Sequence, residues 1–249
     1  MLKIENTEVI GLKAAIRGIR DPMNPREKSD SGICFDTIAC HTCRADRNHC
    51  KSRMENKEFV VGYDDMNLMT RLRNSGTDHC KFMRMITVYL DITAPLYWWK
   101  EFDTCFDTYK VGTVANSCST MNNIADKEFT PDDFSHEHLL NMANNDACDA
   151  LFLSDAYNLR VDGDDLLSLT INVLNYYRGR YIKTKDKRYW WQLIQLLPTS
   201  YNQRRTVMLN YEVLSNIYKS LQNYKLDEWH TFCNWIDSLP YSELIKGKG

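Results

Sequence analysis

Cys40, Cys43, His49 and Cys50, within the run CHTCRADRNHC, are side chains that bind soft metals. A Cys-x-x-Cys pair sets two thiolates on one tight turn, where both can face a tetrahedral zinc ion. The other half of such a site is weak here. His49 and Cys50 are adjacent, so their side chains diverge, and no second spaced pair follows; Cys34 or His41 would have to substitute. Three states remain open: structural zinc, a reduced loop without a ligand, and a disulfide. The missing second pair weighs towards the reduced loop. No general base for a zinc-bound water lies nearby, so catalytic zinc is not expected.

Other candidates are dispersed. His79 stands in GTDHCKF, between an expected helix and an expected strand, where a corner histidine satisfied by its neighbours is the plain reading. His136 and His138 lie in an acidic stretch and read as surface, and His230 falls on the polar side of the last helix. The segment EFDTCFDTYKVGTVANSCSTMN, residues 101–122, repeats FDT and then becomes rich in small hydroxyl side chains. There is no nucleophile elbow, no G-x-G-x-x-G and no P-loop. VDGDD at 161–165 lacks the other ligands of a calcium loop and reads as a turn. Motifs alone fix no enzyme class.

The elements that must carry these residues are a mixture. Residues 2–8 read as a strand, and Val9, Leu12, Ile16 and Ile19 recur at helical spacing up to the prolines of RDPMNP. Residues 21–57 are polar and Cys-rich and read as a loop insertion. EFVVGY reads as a strand. Asp64 or Asp65 can cap a helix bearing Met66, Met69 and Leu72, with Gly76 past its end. In RMITVYLDIT, Ile86, Val88, Leu90 and Ile92 share one face of a strand that Pro95 should end. Residues 96–104 read as helix and the Gly112 region as loop. Thr130 and Pro131 form a helix start, and residues 126–165 read as acidic, solvated surface. The last third reads as helices, with Val207, Leu214, Ile217 and Leu221 on one face and Trp229, Phe232, Cys233 and Ile236 on another. The fold class expected is α+β, with a central antiparallel sheet flanked by helices, in a single domain spanning 1–249.

Composition bounds the function. A chain of 249 residues with 43% apolar and 26% charged residues has enough material for a sizeable core. No apolar run approaches the roughly 20 residues of a membrane span, and the N-terminus lacks the layout of a signal peptide. Nine cysteines without an export signal read as reduced thiols, so the location expected is cytoplasmic. A formal charge of -2 gives no general electrostatic reason to bind nucleic acid or membrane.

The order of elements around His79 resembles the flavin-dependent thymidylate synthases. His79 with Phe82, the strand after it, APLYWWKEF and the polar NSCS stretch follow that family's order: H-x-T-P-F-E-H, a strand, A-P-I, and the signature R-H-R-x-x-S-x-N-E-x-S-x-R-Y. Counted back from Ala94 and Pro95, His79 takes the place of the first histidine without a gap. Lys100 and Glu101 stand where the family has Arg and Gln, and Asn116 and Ser119 match the Asn and second Ser of the signature. Between the anchors the chain is about four residues too long, the length of the FDTC/FDTY doubling, so the repeat reads as an insertion in the signature loop. LLPTSYNQRRTVMLNYEVL resembles V-L-P-x-x-x-Y-T-x-F-x-x-T-x-N-A-R-S-L, with Leu197, Pro198, Asn210 and Leu214 in register, and GLKAAIRGIR resembles an early helix ending in A-A-R-V-S.

That resemblance implies an FAD-dependent methyltransferase acting on dUMP or a related pyrimidine nucleotide, with folate and NADPH as co-substrates, in a homotetramer. By carry-over, Ser119 and Lys110 would be catalytic, and His79, Lys81, Asn210 and Lys110 would touch the flavin. Lys100, Glu101, Ser117, Ser119 and Arg204 would hold the nucleotide. The departures are as telling. Tyr109, Lys110 and Val111 replace Arg-His-Arg, Ser117 replaces the signature Glu, Met121 replaces its Arg, and Ile194 and Gln222 fall where two further arginines stand. Each lost arginine-phosphate contact would cost about 1.5–3 kcal/mol unless another cation compensates; Lys81, Arg84, Lys100, Lys110, Arg204 and Arg205 are the available ones. The alternatives are a divergent member that binds a nucleotide or a protein partner without thymidylate synthesis, and a small binding protein organised by a zinc-holding Cys loop.

Overall fold

The computed structural model describes residues 2–23, 26–33, 59–104, 114–115, 121–140, 151–154, 159–221 and 224–247. Along the chain run β1 (Lys3–Ile10), α1 (Leu12–Met23), β2 (Gly32–Ile33), β3 (Phe59–Val60), α2 (Tyr63–Asn74), β4 (Thr87–Pro95), α3 (Leu96–Thr104) and β5 (Val114–Ala115). They are followed by β6 (Leu151–Ser154), β7 (Leu159–Val161), α4 (Gly163–Thr184), α5 (Lys187–Leu196), β8 (Asn202–Asn210), α6 (Tyr211–Leu221), α7 (Asp227–Ser238) and α8 (Glu243–Lys246). The fold is α+β. Its largest sheet has the order β1-β4-β8-β5, with β5 antiparallel to β8. Compactness divides the chain into two units, with boundaries after Lys3, Ile92, Asp103, Asn116 and Arg205, so that β4 and β8 are each split between them.

Unit one comprises residues 1–3, 93–103 and 117–205. Its core is an α4–α5 hairpin closed over Phe129 and Phe134, with Leu167, Ile171, Leu174 and Leu193 buried between. Asp162 starts α4 by accepting the Asp165 N–H at 2.8 Å, and Asp165 reaches back to the Asp162 N–H, a capping box. VDGDD is therefore a helix start rather than a free turn. Phe129 and Phe134 also show that the acidic 126–165 segment is not all surface. A second aromatic group, Trp98, Trp99 and Phe102, packs on α3 with ring centroids 5.0–5.4 Å apart. Backbone N–H groups of Leu96 and Tyr97 donate to the carbonyls of Tyr201 and Thr199, tying the start of α3 to the approach to β8.

Unit two comprises residues 4–92, 104–116 and 206–249. On β4, Val88, Leu90 and Ile92 are buried, as the alternation predicts, and Ile86 is buried just before it. Leu214, Ile217 and Leu221 on α6, and Trp229, Phe232, Cys233 and Ile236 on α7, are buried as expected. Val207 is a correction. It lies in β8, where Val207 and Leu209 are buried between exposed Thr206 and half-buried Met208, a strand alternation. Val9 likewise belongs to β1, because Gly11, at φ +97°, breaks the chain before α1.

Pro22 does not stop α1 but sits in its last turn. The start of α2 is also not capped from its own sequence. Asp30 accepts the N–H groups of Asp64 (2.9 Å) and Asp65 (3.1 Å), while Asp65 itself is fully buried. Asp65 takes hydrogen bonds from Arg20 Nε at 2.6 Å and from the hydroxyls of Ser29 and Ser31. Burial pushes the Asp65 carboxyl up, but those donors outweigh it and hold it below the usual carboxylate range. β2 pairs with β3, Ile33 opposite Phe59 and Gly32 opposite Val60. Among the described residues no helix is long and apolar enough to cross a membrane.

Candidate functional site

In unit two, α2 ends at Asn74 with Ser75 as its C-cap, and Gly76, at φ +110°, reverses the chain. The His79 N–H donates to the Gly76 carbonyl at 3.1 Å, closing a tight turn that leaves the imidazole exposed. A 3-10 turn over Lys81–Met85 follows. Its apolar pair, Phe82 and Met83, is buried, which turns Lys81 and Arg84 outwards. Gly11 approaches this turn so closely that a Cβ there would lie 1.9 Å from the Met85 carbonyl oxygen.

The N-terminus of α6 packs on the same turn. Asn210, buried at the end of β8, caps the helix, its Oδ1 accepting the Val213 N–H at 2.9 Å. The Tyr211 N–H donates to the Ile86 carbonyl at 3.1 Å. Arg84 grips both carboxylate oxygens of Glu212, Nη2 reaching Oε1 at 3.1 Å and Nε bonding Oε2. The structure thus joins the elements that carry His79, Lys81 and Asn210.

Beside them, the Cys80 sulfur lies 3.9 Å from Glu212 Oε1. Burial, with Glu212 adding to it, pushes the Cys80 thiol up, so it stays protonated and is a poor nucleophile. Arg73 is held by the Leu244 carbonyl at 2.9 Å and the Ser215 hydroxyl at 2.9 Å. Burial and the Arg73 charge together lower Lys219.

In unit one, Lys100 and Glu101 lie on α3 and Arg204 on β8. The two elements are locked together. Trp99 donates its indole N–H to the Gln203 carbonyl at 2.9 Å, and the Arg205 guanidinium lies 4.2 Å from the centroid of the Trp99 ring. Arg205 Nη1 reaches both oxygens of Asp103 at 3.0 Å, and its Nε reaches Gln203 Oε1 at 2.8 Å. Such a planar fork, stacked and doubly bonded, is committed within the fold.

The sequence-expected residues therefore fall into three sets. His79, Lys81 and Asn210 lie on adjoining elements of unit two, and Lys100, Glu101 and Arg204 on adjoining elements of unit one. Lys110, Ser117 and Ser119, and the Cys40, Cys43, His49 and Cys50 group, lie outside the described residues. Among the described residues no group of three or more His, Cys, Asp or Glu could hold a metal ion. Two features were not anticipated: the Arg84–Glu212 pair and the Trp99–Arg205–Asp103 stack. The first had a signal. Glu212 stands at the Arg of N-A-R-S-L, and Arg84 stands five residues after His79, at the Glu of H-x-T-P-F-E-H.

No family model and no curated protein matches the chain. Solved structures do. Thymidylate Synthase X (ThyX) from Helicobacter pylori with FAD and dUMP is similar at a TM-score of 0.56 and 14% identity, over 100% of this chain and 98% of that one. A second H. pylori ThyX structure, also complexed with FAD and dUMP, gives 0.53 and 14%, over 99% and 98%. The UMP/dUMP methylase PolB from Streptomyces cacaoi bound with 5-Br dUMP gives 0.50 and 12%, over 98% and 93%. At such identities the likeness shows the fold alone. The chain has the fold of these proteins.

Proposed function

We propose that this protein binds FAD and a pyrimidine nucleotide, dUMP or a close relative, and transfers a one-carbon unit to the base. The observation that supports this reading most is the joining of the His79 turn, the Lys81 turn and the Asn210 cap within one unit of a chain that matches the ThyX fold throughout. The flavin would supply the redox chemistry; the chain's part is to bind and orient.

His79 and Lys81 fit that role. Both are exposed on consecutive turns and can donate to a flavin or its phosphates. Asn210 fits in part, since its Oδ1 is already taken by the α6 N-terminus. Lys100, Glu101 and Arg204 would hold the nucleotide, with Ser117, Ser119 and Lys110 of the hydroxyl-rich loop completing the site. Folate and NADPH would be co-substrates and the assembly a homo-oligomer.

The test is an absorbance spectrum of the purified protein, then titration with FAD and assay of dUMP methylation by mass. A flavin band near about 450 nm, or saturable FAD binding, is expected. Colourless protein that FAD does not titrate would sink the reading.

A specific observation favours a second reading, in which the fold is kept without thymidylate synthesis. Two of the cations available to replace lost phosphate-binding arginines, Arg84 and Arg205, are committed to Glu212 and to Asp103 with Trp99. Failure to complement a thymidine-requiring bacterium, with FAD binding intact, is the outcome this second reading expects.

A further inference from the structure

The C-terminal half of α4, the turn after it and the first turn of α5 read NYYRGRYIKTKDKRYWW. This stretch holds six cations, Arg178, Arg180, Lys183, Lys185, Lys187 and Arg188, and one carboxylate, Asp186, in a chain whose formal charge is -2. Of these six only Arg188 has a carboxylate partner among the described residues, Asp186 at 2.7 Å. Arg178 is held by the backbone carbonyls of Ala125 (2.9 Å) and Asp126 (3.2 Å), which leaves its charge unneutralised.

Aromatic rings stand among these cations, and they are braced. Tyr176 is 61% exposed and leans edge-on against Tyr177, with centroids 5.3 Å apart. Trp191 is 45% exposed and meets Trp190 edge-on at 4.9 Å. The inner rings, Tyr177 and Trp190, pack on the buried core of the hairpin. Arg180 lies 5.1 Å from the Tyr189 ring and bonds its hydroxyl at 2.8 Å, and Lys187 lies 5.8 Å from the Trp191 ring. Tyr176, Arg180 and Lys183 share a helical face by their spacing.

We infer that this end of the α4–α5 hairpin binds single-stranded nucleic acid. Exposed rings fixed in orientation offer stacking platforms for bases, and cations without carboxylate partners track the phosphates between them. An anionic membrane is the less suitable partner. Insertion needs a contiguous apolar face, whereas Lys183, Lys185 and Lys187 stand in the chain between the outward rings Tyr176 and Trp191. This inference stands apart from the flavin and mononucleotide reading and survives its failure.

The experiment is fluorescence anisotropy of the full chain with labelled oligouridylate and oligothymidylate of about 16 nucleotides. Micromolar binding is expected at about 50 mM salt, weakening with a log–log slope of about -0.7 per phosphate neutralised. Lys183→Glu, Lys185→Glu and Lys187→Glu combined should weaken it at least about tenfold. Tyr176→Ala and Trp191→Ala, at unchanged charge, should each weaken it about fivefold or more. All five positions are surface sites, and circular dichroism checks that the fold is retained. Absence of binding at low salt overturns the inference. So does wild-type affinity in Tyr176→Ala and Trp191→Ala together with equal competition by inorganic polyphosphate, the behaviour of a bare cationic patch. Capture by phosphatidylserine vesicles without oligonucleotide binding overturns it as well.

Discussion

Arg84 and Glu212, 128 residues apart, form a two-point ion pair that fastens the turn after His79 to the first turn of α6. The Glu212 side chain is nearly buried and Arg84 is half exposed, so the two are not equivalent. Removing Arg84 strands a buried carboxylate, whereas removing Glu212 leaves a guanidinium that water can reach. Arg84→Ala should therefore destabilise by about 2–3 kcal/mol and Glu212→Gln by about 1 kcal/mol. The exchange Arg84→Glu with Glu212→Arg should recover most of the loss, since it restores the charges in the order of the motifs that the segments resemble. Urea unfolding of these variants, with Arg84→Glu alone and wild type beside them, measures this; a double variant no better than Arg84→Glu alone would show that the pair is not the link.

The Asp65 network predicts an acid transition. The donors lower the folded-state value of Asp65, so its contribution is complete above the unfolded value of about 3.9 and is lost as pH falls below that through the folded one. Asp65→Asn should cost about 3–5 kcal/mol near neutrality, and its stability should fall less steeply than wild type below about pH 4. Ser29→Ala, a milder change, should cost about 1 kcal/mol. Thermal melts between about pH 3 and pH 7 decide it; parallel pH profiles for Asp65→Asn and wild type would contradict the assignment.

Asn210 has a structural task that can be separated from ligand binding. Asn210→Ala removes the α6 cap and should cost about 1 kcal/mol, while Asn210→Asp keeps a cap acceptor and should cost about half that or less. If Asn210 also touches a flavin, Asn210→Asp weakens FAD binding while keeping stability. FAD titration and urea unfolding of the same two variants separate the roles.

Gly11→Ala should be among the most damaging single changes. Its φ of +97° disfavours any side chain, and the added Cβ would meet the Met85 carbonyl at 1.9 Å. A loss of more than about 3 kcal/mol is expected, read as a lowered melting temperature. Gly32→Ala meets nothing within 4 Å and should change stability by less than about 0.5 kcal/mol.

Much of the fold was legible where local pattern and burial agree. The β4 face and α3, bounded by Pro95, follow from alternation and a proline. β8 was misread because its paired arginines and polar flanks look like helix surface, although Val207 and Leu209 keep the period of a strand. The α2 cap was illegible for a different reason: Asp30 lies over 30 residues upstream, and only tertiary folding brings it there. For the candidate site, the sequence names positions and not contacts. The resemblance marked His79 and Asn210 as positions without their contacts, and Arg205 looked like a spare cation until Trp99 and Asp103 were seen to hold it. Opposite charges at Arg84 and Glu212, each standing where the motif has the other sign, were the one readable hint of a contact between distant segments.

The pairing of Ile33 with Phe59 has an engineering consequence. The chain leaves at one strand residue and returns at that residue's neighbour, a few ångströms away. The paired residues form a gate, one post of which Asp30 and Ser31 bolt to the start of α2. Closing a longer excursion through such a gate costs only about 0.6 kcal/mol per doubling of length. A change in the number of residues between Ile33 and Phe59 should therefore leave the β2–β3 register and the Asp30 and Ser31 contacts to α2 in place.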